Sequence, residues 1–576
     1  MNVLLRNVHW PVIESKTSQS IEDTMQQKEV LRVSEERTLP VLLFDTQSIQ
    51  HYIYEGTKLR TNIGASYLVK TVFDKILLPV LEEKFGPAEV DSTTWREVDN
   101  PDWTDQSTSV RVGYIGGGNA LLLFRDDVPK EDRLSIVTSF TKRVMLEAPG
   151  LRTGAAMGVL HLDSEGHWRN TVNTDEFREL IYALKDGQNR RFPQIEPPYA
   201  GLTLSCPISG IAADAYDDTD DRFYSQGTEA KLRVDDSRDA PAERELIRQI
   251  KSVLSDDEKD SLLAGYAFPR EIEHLGQYDT ENYFAIVHID GNNMGKKFIE
   301  CDTLTKRKNL SRRINEASLT AFSDLLKHIK SNFAGYYDAL KCDEDDAGNT
   351  YLPIRPVILG GDDMTFVCAA KAALGFTDSL MKSLLDKYGI KSCAGIAFVK
   401  TSYPFARGYE MAEELCGAAK AVMRHTDNDS CWLDFALLHG EQPPTLDALR
   451  EQEYKGDCGN LHFGPYRVDA KKTTKSLDTL IEGIKGMKSL PQSRSKELRR
   501  VLARSRDEQQ QFLAQMEYLH NAFENEYSEL HLPDVPAWNA YEKELFVDGE
   551  TPYIDAIELI AFLLDAKKDE RKEEHE

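Results

Sequence analysis

The 576-residue chain has no C-x-x-C pair, no run of 18 apolar residues and no excess of basic charge. The first lack removes the spacing of a structural zinc site or a regular disulfide framework, so the eight cysteines, from Cys206 to Cys458, read as reduced thiols and no zinc is expected. The second excludes a membrane-spanning helix. The start, Met1 to Asn7, lacks a basic n-region, a long apolar core and a small-residue cleavage site, which predicts a cytoplasmic protein. Lys and Arg number 70 against 96 Asp and Glu, a net charge of −26 that repels polyanions unless a local basic patch exists. With 41% hydrophobic residues, disordered and fibrous classes are excluded as well. The length predicts about three to five domains.

What is present is an internal repeat. Val41-Leu42-Leu43-Phe44-Asp45 and Phe284-Ala285-Ile286-Val287-His288-Ile289-Asp290 are apolar runs that end in an acid, each read as a buried strand. Helical stretches follow at 63–85 and 304–332, then two strands around a glycine-rich turn: Gly116-Gly117-Gly118-Asn119 in one copy, Gly360-Gly361-Asp362-Asp363 in the other. Asp45 precedes Gly118 by 73 positions and Asp290 precedes Asp362 by 72. A further helix (132–147; 371–388) and a small-residue strand complete each copy. The repeat predicts an α/β (α+β) fold with two ferredoxin-like palm domains, at 39–200 and 276–440. Residues 1–38 read as an arm and 201–275 as a connector whose acidic stretch Asp214–Asp221 is a solvated loop. Residues 441–576 lack strand signals and read as a C-terminal helical domain with a charged tail.

The chemistry concentrates in the second copy. Gly360 and Gly361 let a hairpin tighten and a substrate approach the backbone, while Asp362 and Asp363 project at its tip and Asp290 arrives on the adjacent strand. Three carboxylates are hard oxygen ligands suited to Mg2+ or Mn2+, and two such ions support nucleotidyl transfer. Gly291, Asn292, Asn293, Met294, Gly295 and Phe298 form a strand-to-helix turn with free N–H groups for a triphosphate, or an ordinary Asn-Gly turn. Lys420 borders the apolar stripe Phe405, Tyr409, Ala412, Cys416 and Ala419 of a helix. It either reaches inward to phosphate or stays solvated. Gly118 and Asn119 replace the paired acids in the first copy, so that palm is read as inactive. Residues 467–506 hold 12 Lys/Arg against 4 acids, a patch for RNA or an acidic partner, or a basic face that neutralises the rest of the molecule.

These residues resemble the large polymerase/cyclase subunit of type III CRISPR effector complexes. The likeness rests on Ser48-Ile49-Gln50-His51-Tyr52-Ile53, Leu59-Arg60, Gly64-Ala65-Ser66, the Asp290–Gly295 turn, the GGDD motif, Ala394–Lys400, Tyr403-Pro404-Phe405 and Ala419-Lys420, and it covers about residues 39–440. The resemblance implies conversion of ATP to cyclic oligoadenylate messengers in antiviral defence, with a downstream effector activated by the product. It implies metal binding by Asp290, Gly291, Asp362 and Asp363, a triphosphate contact at Lys420, and an acceptor pocket at Ser66 and the turn carrying Gly117 and Gly118. Three departures stand out. No His-Asp dipeptide of an HD nuclease occurs, the family's zinc C-x-x-C is reduced to Cys206-Pro207-Ile208-Ser209, and the usual second Asp is Asn292. The alternatives are a non-catalytic scaffold of an RNA-guided complex and a GTP-using cyclic-dinucleotide synthase.

Overall fold

The computed structural model describes residues 37–170, 175–190, 201, 203–218, 221–235, 240–276, 283–440, 445–470, 472–522 and 531–564. In the first palm β1 (Arg37–Gln47) leads through α1 (Ile49–Tyr54) and α2 (Leu59–Val72) to β2 (Val90–Asp91), β3 (Val110–Gly116) and β4 (Asn119–Phe124). After these come α3 (Lys130–Glu147), β5 (Arg152–Leu162) and α4 (Glu176–Arg190). The sheet order is β2-β3-β4-β1-β5. A connector with helix α5 (Gln226–Arg233) leads to the second palm. There β6 (Tyr283–Gly291), α6 (Leu304–Ser331), β7 (Ile354–Gly360), β8 (Asp363–Ala369), α7 (Ala373–Tyr388), β9 (Ser392–Lys400), α8 (Phe405–Thr426) and β10 (Trp432–Leu437) follow in turn.

The second sheet runs β7-β8-β6-β9-β10-β11, where β11 is Tyr466–Arg467. Its first four strands repeat the β3-β4-β1-β5 order of the first palm, which is the ferredoxin-like arrangement in both. β6 sits centrally because Phe284, Ala285, Ile286, Val287 and Ile289 are all fully buried and β-branched or apolar; each large side chain contributes about 1.5–3 kcal/mol by leaving water. Only the final residues of the strand change character, and Asp290 emerges half-buried at the sheet edge. One continuous core joins both palms and the C-terminal helices.

Two expectations are corrected here. Residues 441–576 do contribute strand: β11 pairs antiparallel with Trp432 and Leu433 and so extends the second palm's sheet. It is followed by α10 (Leu477–Ser489), α11 (Gln492–Leu502), α12 (Arg506–Ala522) and α13 (Tyr553–Glu558), with α9 (Leu446–Glu453) before it. In the connector, Ala215–Asp217 pairs with Arg222–Tyr224 as a short hairpin, because Tyr216 and Phe223 stack across it at 5.0 Å. The arm, read as 1–38, is described only from Arg37, which already belongs to β1, and the charged tail from 565 lies outside the described residues.

Candidate active site

The strand register brings the predicted acids together. Asp363 lies directly opposite Asp290 across the β8–β6 pair, and Asp362 precedes it in the hairpin turn. On its other side Asp290 faces Cys393 of β9. The turn closes because Gly360 and Gly361 adopt φ of +129° and +74°, conformations that side chains resist. It is anchored from two directions: the Gly291 N–H donates to the Asp362 carbonyl at 3.0 Å, and the Ser318 hydroxyl donates to the Gly361 carbonyl at 2.6 Å.

Burial first, and then the neighbouring charges of Asp290 and Asp362, push the Asp363 carboxyl up to about 8. Asp362 is raised for the same two reasons, burial and Asp290, with Lys420 opposing. The Lys420 ammonium pairs with Asp290 Oδ2. Asp363 Oδ1 is buried and accepts no hydrogen bond. His288 Nδ1 lies 3.3 Å from that oxygen and bonds the Thr365 hydroxyl at 3.2 Å.

Clustered carboxylates that resist ionisation are what a hard divalent cation relieves, and the unbonded Asp363 oxygen is a free donor, so the acids fit Mg2+ or Mn2+ in chemistry. Among the described residues, however, no group of three or more His, Cys, Asp or Glu closes into a finished cage. Lys420 occupies Asp290 instead and balances one of the three charges.

The first palm has the same backbone with different side chains. Asp45 faces Asn119 on β4 and Gly154 on β5, the positions that Asp363 and Cys393 take around Asp290. Asn119 turns its amide back onto the Gly117 carbonyl at 2.9 Å, and Gln188 of α4 caps Asp45 Oδ2 at 2.8 Å. Burial raises the Asp45 carboxyl. One acid capped by an amide cannot gather two cations.

Several predicted positions are placed differently. The Asp290–Gly295 turn was expected to offer free N–H groups, but those of Gly291 and Asn292 are spent on the carbonyls of Asp362 and Lys391. Asn292 is buried, with its amide on the Ser430 carbonyl at 2.8 Å, and Met294 is buried too, so both brace the turn from inside. Asn293 and Gly295 are exposed, and Phe298 is half-buried, its ring facing the Arg307 guanidinium at 5.8 Å. Ser66 lines a cavity of about 40 Å3 with Lys70, Glu245, Gln249 and Leu359, away from the Gly117–Gly118 turn. That turn instead meets α6, where a Cβ on Gly116 would lie 2.7 Å from the Ser311 hydroxyl.

The basic segment is also partly spent. Arg467, Lys475, Arg494, Arg499 and Arg506 pair with Asp469, Glu550, Glu497, Glu558 and Glu544, which favours the neutralising face over an open polyanion surface. Sequence reasoning missed the contribution of α1 across the palm boundary. Gln50 opposes the rise in the Asp363 pKa, and the Tyr54 ring stacks on Tyr409 of α8 with centroids 3.6 Å apart. The signal was the paired polar and aromatic residues of the Ile49–Tyr54 helix, but nothing in the sequence says which partner they meet.

Residues 283–428, which hold all three acids and Lys420, match the model of the Cas10/Cmr2 second palm domain. The match covers the second palm, about a quarter of the chain. Among solved structures the chain is similar to a Csm1–Csm4 cassette in complex with pppApApA, at 12% identity and a TM-score of 0.48 over 93% of this chain and 70% of that one. A cassette in complex with cA4 gives 11% and 0.47, over 92% and 70%. Csm1 of T. onnurineus gives 13% and 0.43, over 92% and 70%. No curated protein matches the chain. Among the described residues, no helix is long and apolar enough to cross a membrane.

Proposed function

We propose that the chain is a palm-type nucleotidyltransferase that joins ATP into a cyclic oligoadenylate messenger as a subunit of a CRISPR-type antiviral effector, releasing pyrophosphate at each step. The observation that carries this reading is the register that sets Asp363 against Asp290 with Asp362 beside them in a Cas10/Cmr2 palm. Asp290, Asp362 and Asp363 would hold two divalent cations, with the Gly291 backbone at the edge of the set. Such cations, when bound, activate the attacking hydroxyl and neutralise the leaving pyrophosphate. The chain's own groups do the positioning. Lys420, released from Asp290, turns its ammonium to the triphosphate; the exposed Asn293 and Gly295 border the phosphates; and Gln50 steadies Asp363 from the first palm. The first palm presents its Gly117–Gly118 turn to the acceptor nucleotide without cations of its own. The exposed Lys472, Lys485, Lys496, Arg500 and Arg504 serve a partner subunit.

Purified chain incubated with labelled ATP and Mn2+ tests the proposal. Pyrophosphate release and a cyclic oligoadenylate identified by mass spectrometry are expected, both lost in the Asp362→Ala/Asp363→Ala variant. No release, with or without added RNA, would leave a scaffold. A guanine dinucleotide as the preferred product from a mixture of the four nucleotides would replace ATP with GTP.

A further inference from the structure

The connector carries a second piece of site architecture that the nucleotide chemistry does not use. Cys206-Pro207-Ile208-Ser209 and Ser225-Gln226-Gly227-Thr228 read C-x2-S and S-x2-T with 15 residues between them. A four-cysteine zinc site of the C-x2-C, C-x2-C kind has this spacing. In the fold the four side chains meet. Ser209 Oγ lies 3.2 Å from Ser225 Oγ, the Ser225 hydroxyl donates to Thr228 Oγ1 at 2.9 Å, and the Cys206 thiol donates to the same Thr228 oxygen at 3.5 Å. In a zinc–thiolate tetrahedron with bonds of about 2.3 Å, ligand atoms sit about 3.8 Å apart. The observed separations are those of the same constellation drawn in by hydrogen bonds.

The backbone is that of a knuckle. Gly210 donates to the Cys206 carbonyl at 2.9 Å, the Cys206 N–H donates to the Ile211 carbonyl at 2.7 Å, and Gly210 has φ of +74°. Ser225 is the N-cap of α5, its hydroxyl accepting from the Thr228 N–H at 3.3 Å. Among the described residues, the apolar cluster beneath consists of Cys206, Ile208, Tyr224 and Leu232. So small a core needs a staple.

We propose that this segment is a metal-free knuckle, in which a chain of hydroxyl hydrogen bonds through Ser209, Ser225 and Thr228 to Cys206 does the cross-linking that zinc does between four thiolates. The chemistry excludes zinc here: three of the four ligand positions are neutral hydroxyls, and one thiolate cannot hold the ion. The thiol itself is tuned by its neighbours. Burial pushes it up, but the Ser209 and Thr228 hydroxyls and the N–H groups of Ser209 and Ser225 outweigh this and bring it to about 7.

Metal uptake by the full chain, wild type beside S209C/S225C/T228C, tests the proposal. Native mass spectrometry of the wild type is expected to show no stoichiometric zinc, with a thermal midpoint that a chelator leaves unchanged. The triple variant is expected to take up one Zn2+ and, with Co2+, to show thiolate charge-transfer and tetrahedral d–d absorption. One zinc retained by the wild type, or a triple variant that is folded by circular dichroism yet binds no metal, overturns it. Should that variant not fold, Ser225→Ala/Thr228→Val decides: its midpoint is expected to fall by about 2–4 °C, equally with and without zinc. An unchanged midpoint refutes the hydroxyl staple.

Discussion

The two palms show how little of a site is backbone. Four strands keep the same order in both sheets, both first strands carry an acid at the same register, and both hairpins carry a bulge at the same place, between Val112 and Tyr114 in one and Pro356 and Ile358 in the other. The differences are three side chains. Gly118, Asn119 and Gln188 stand where the second palm has Asp362, Asp363 and Lys420, with Gln188 and Lys420 each holding the strand-end acid from a helix packed on the sheet. The scaffold survives without charge because its stability lies in the buried strands. The acids act against that stability, since burial and mutual repulsion oppose their ionisation.

Removing the difference from the acid-bearing palm should have the largest effect. Asp362→Ala/Asp363→Ala is expected to lower nucleotide joining at least about a thousandfold, the loss of several kcal/mol of charge stabilisation, while leaving the circular dichroism spectrum intact. Residual turnover within tenfold of wild type would break the assignment of the two palms to different roles.

The next test concerns the helix residue that guards each first acid. Lys420→Met leaves Asp290 unpaired among its neighbours, and a drop of about 10–100-fold in kcat/KM is expected, mostly in KM for the triphosphate. A Gln at 420, the first palm's choice, should behave like Met. If it behaves like Lys, hydrogen bonding and not charge is what the position supplies.

The repeat, the pairing of Asp45 with Asp290 and the loss of acids at 118 and 119 were legible in the sequence because strand-end polarity and glycine turns are local signals. The bulge was not, since an extra residue in one strand leaves no compositional mark. The turn after Asp290 was read as open because two glycines suggest bare backbone, yet its N–H groups are taken by Asp362 and Lys391, one of them a residue 99 positions away. Gln50 and Tyr54 were missed for the same reason: which surface a short amphipathic helix covers is decided by tertiary packing. Ser209 was legible as the lost cysteine of a C-x-x-C, but the Ser225 and Thr228 hydroxyls were not, because neither residue type is a zinc ligand.

Restoring acids to the first palm is expected to give a smaller, purely structural effect. Gly118 has φ of +77° and a Cβ there would lie 2.6 Å from Thr46 Oγ1, so Gly118→Asp is expected to cost about 1–3 kcal/mol in strain. Asn119→Asp sets a carboxylate opposite Asp45, and its cost should grow as pH rises and both ionise, at higher pH than for ordinary carboxyls because burial raises Asp45. The double variant should stay inactive, since Gln188 supplies no cation. Activity gained on the first palm would show that the acids alone make the site.

The smallest effect lies at the far edge of the second sheet, where the palms differ in another way. β10 carries Asp434, whose Oδ1 is 2.8 Å from Nε2 of the buried His462, while Nδ1 of the same ring is 3.0 Å from Asp555 Oδ1 on α13. Asp555 Oδ2 also accepts from the Tyr466 hydroxyl at 2.6 Å, Arg450 pairs with Asp434 at 3.2 Å, and Tyr454 bonds Glu558 nearby. With a carboxylate on each nitrogen, His462 is an imidazolium that ties the C-terminal helices to the palm. Burial and Arg450 push its pKa down, but Asp555 and Asp434 outweigh them and raise it above the ordinary 6.5. Its contribution is therefore complete below pH 6.5 and is lost as pH rises through the folded-state value, with a slope of at most about 1.4 kcal/mol per pH unit. Denaturation of wild type and His462→Gln between pH 6 and 9 should show the gap between them closing on the alkaline side. Parallel curves would mean that the ring is neutral, and that the second palm holds its extra helices by packing alone.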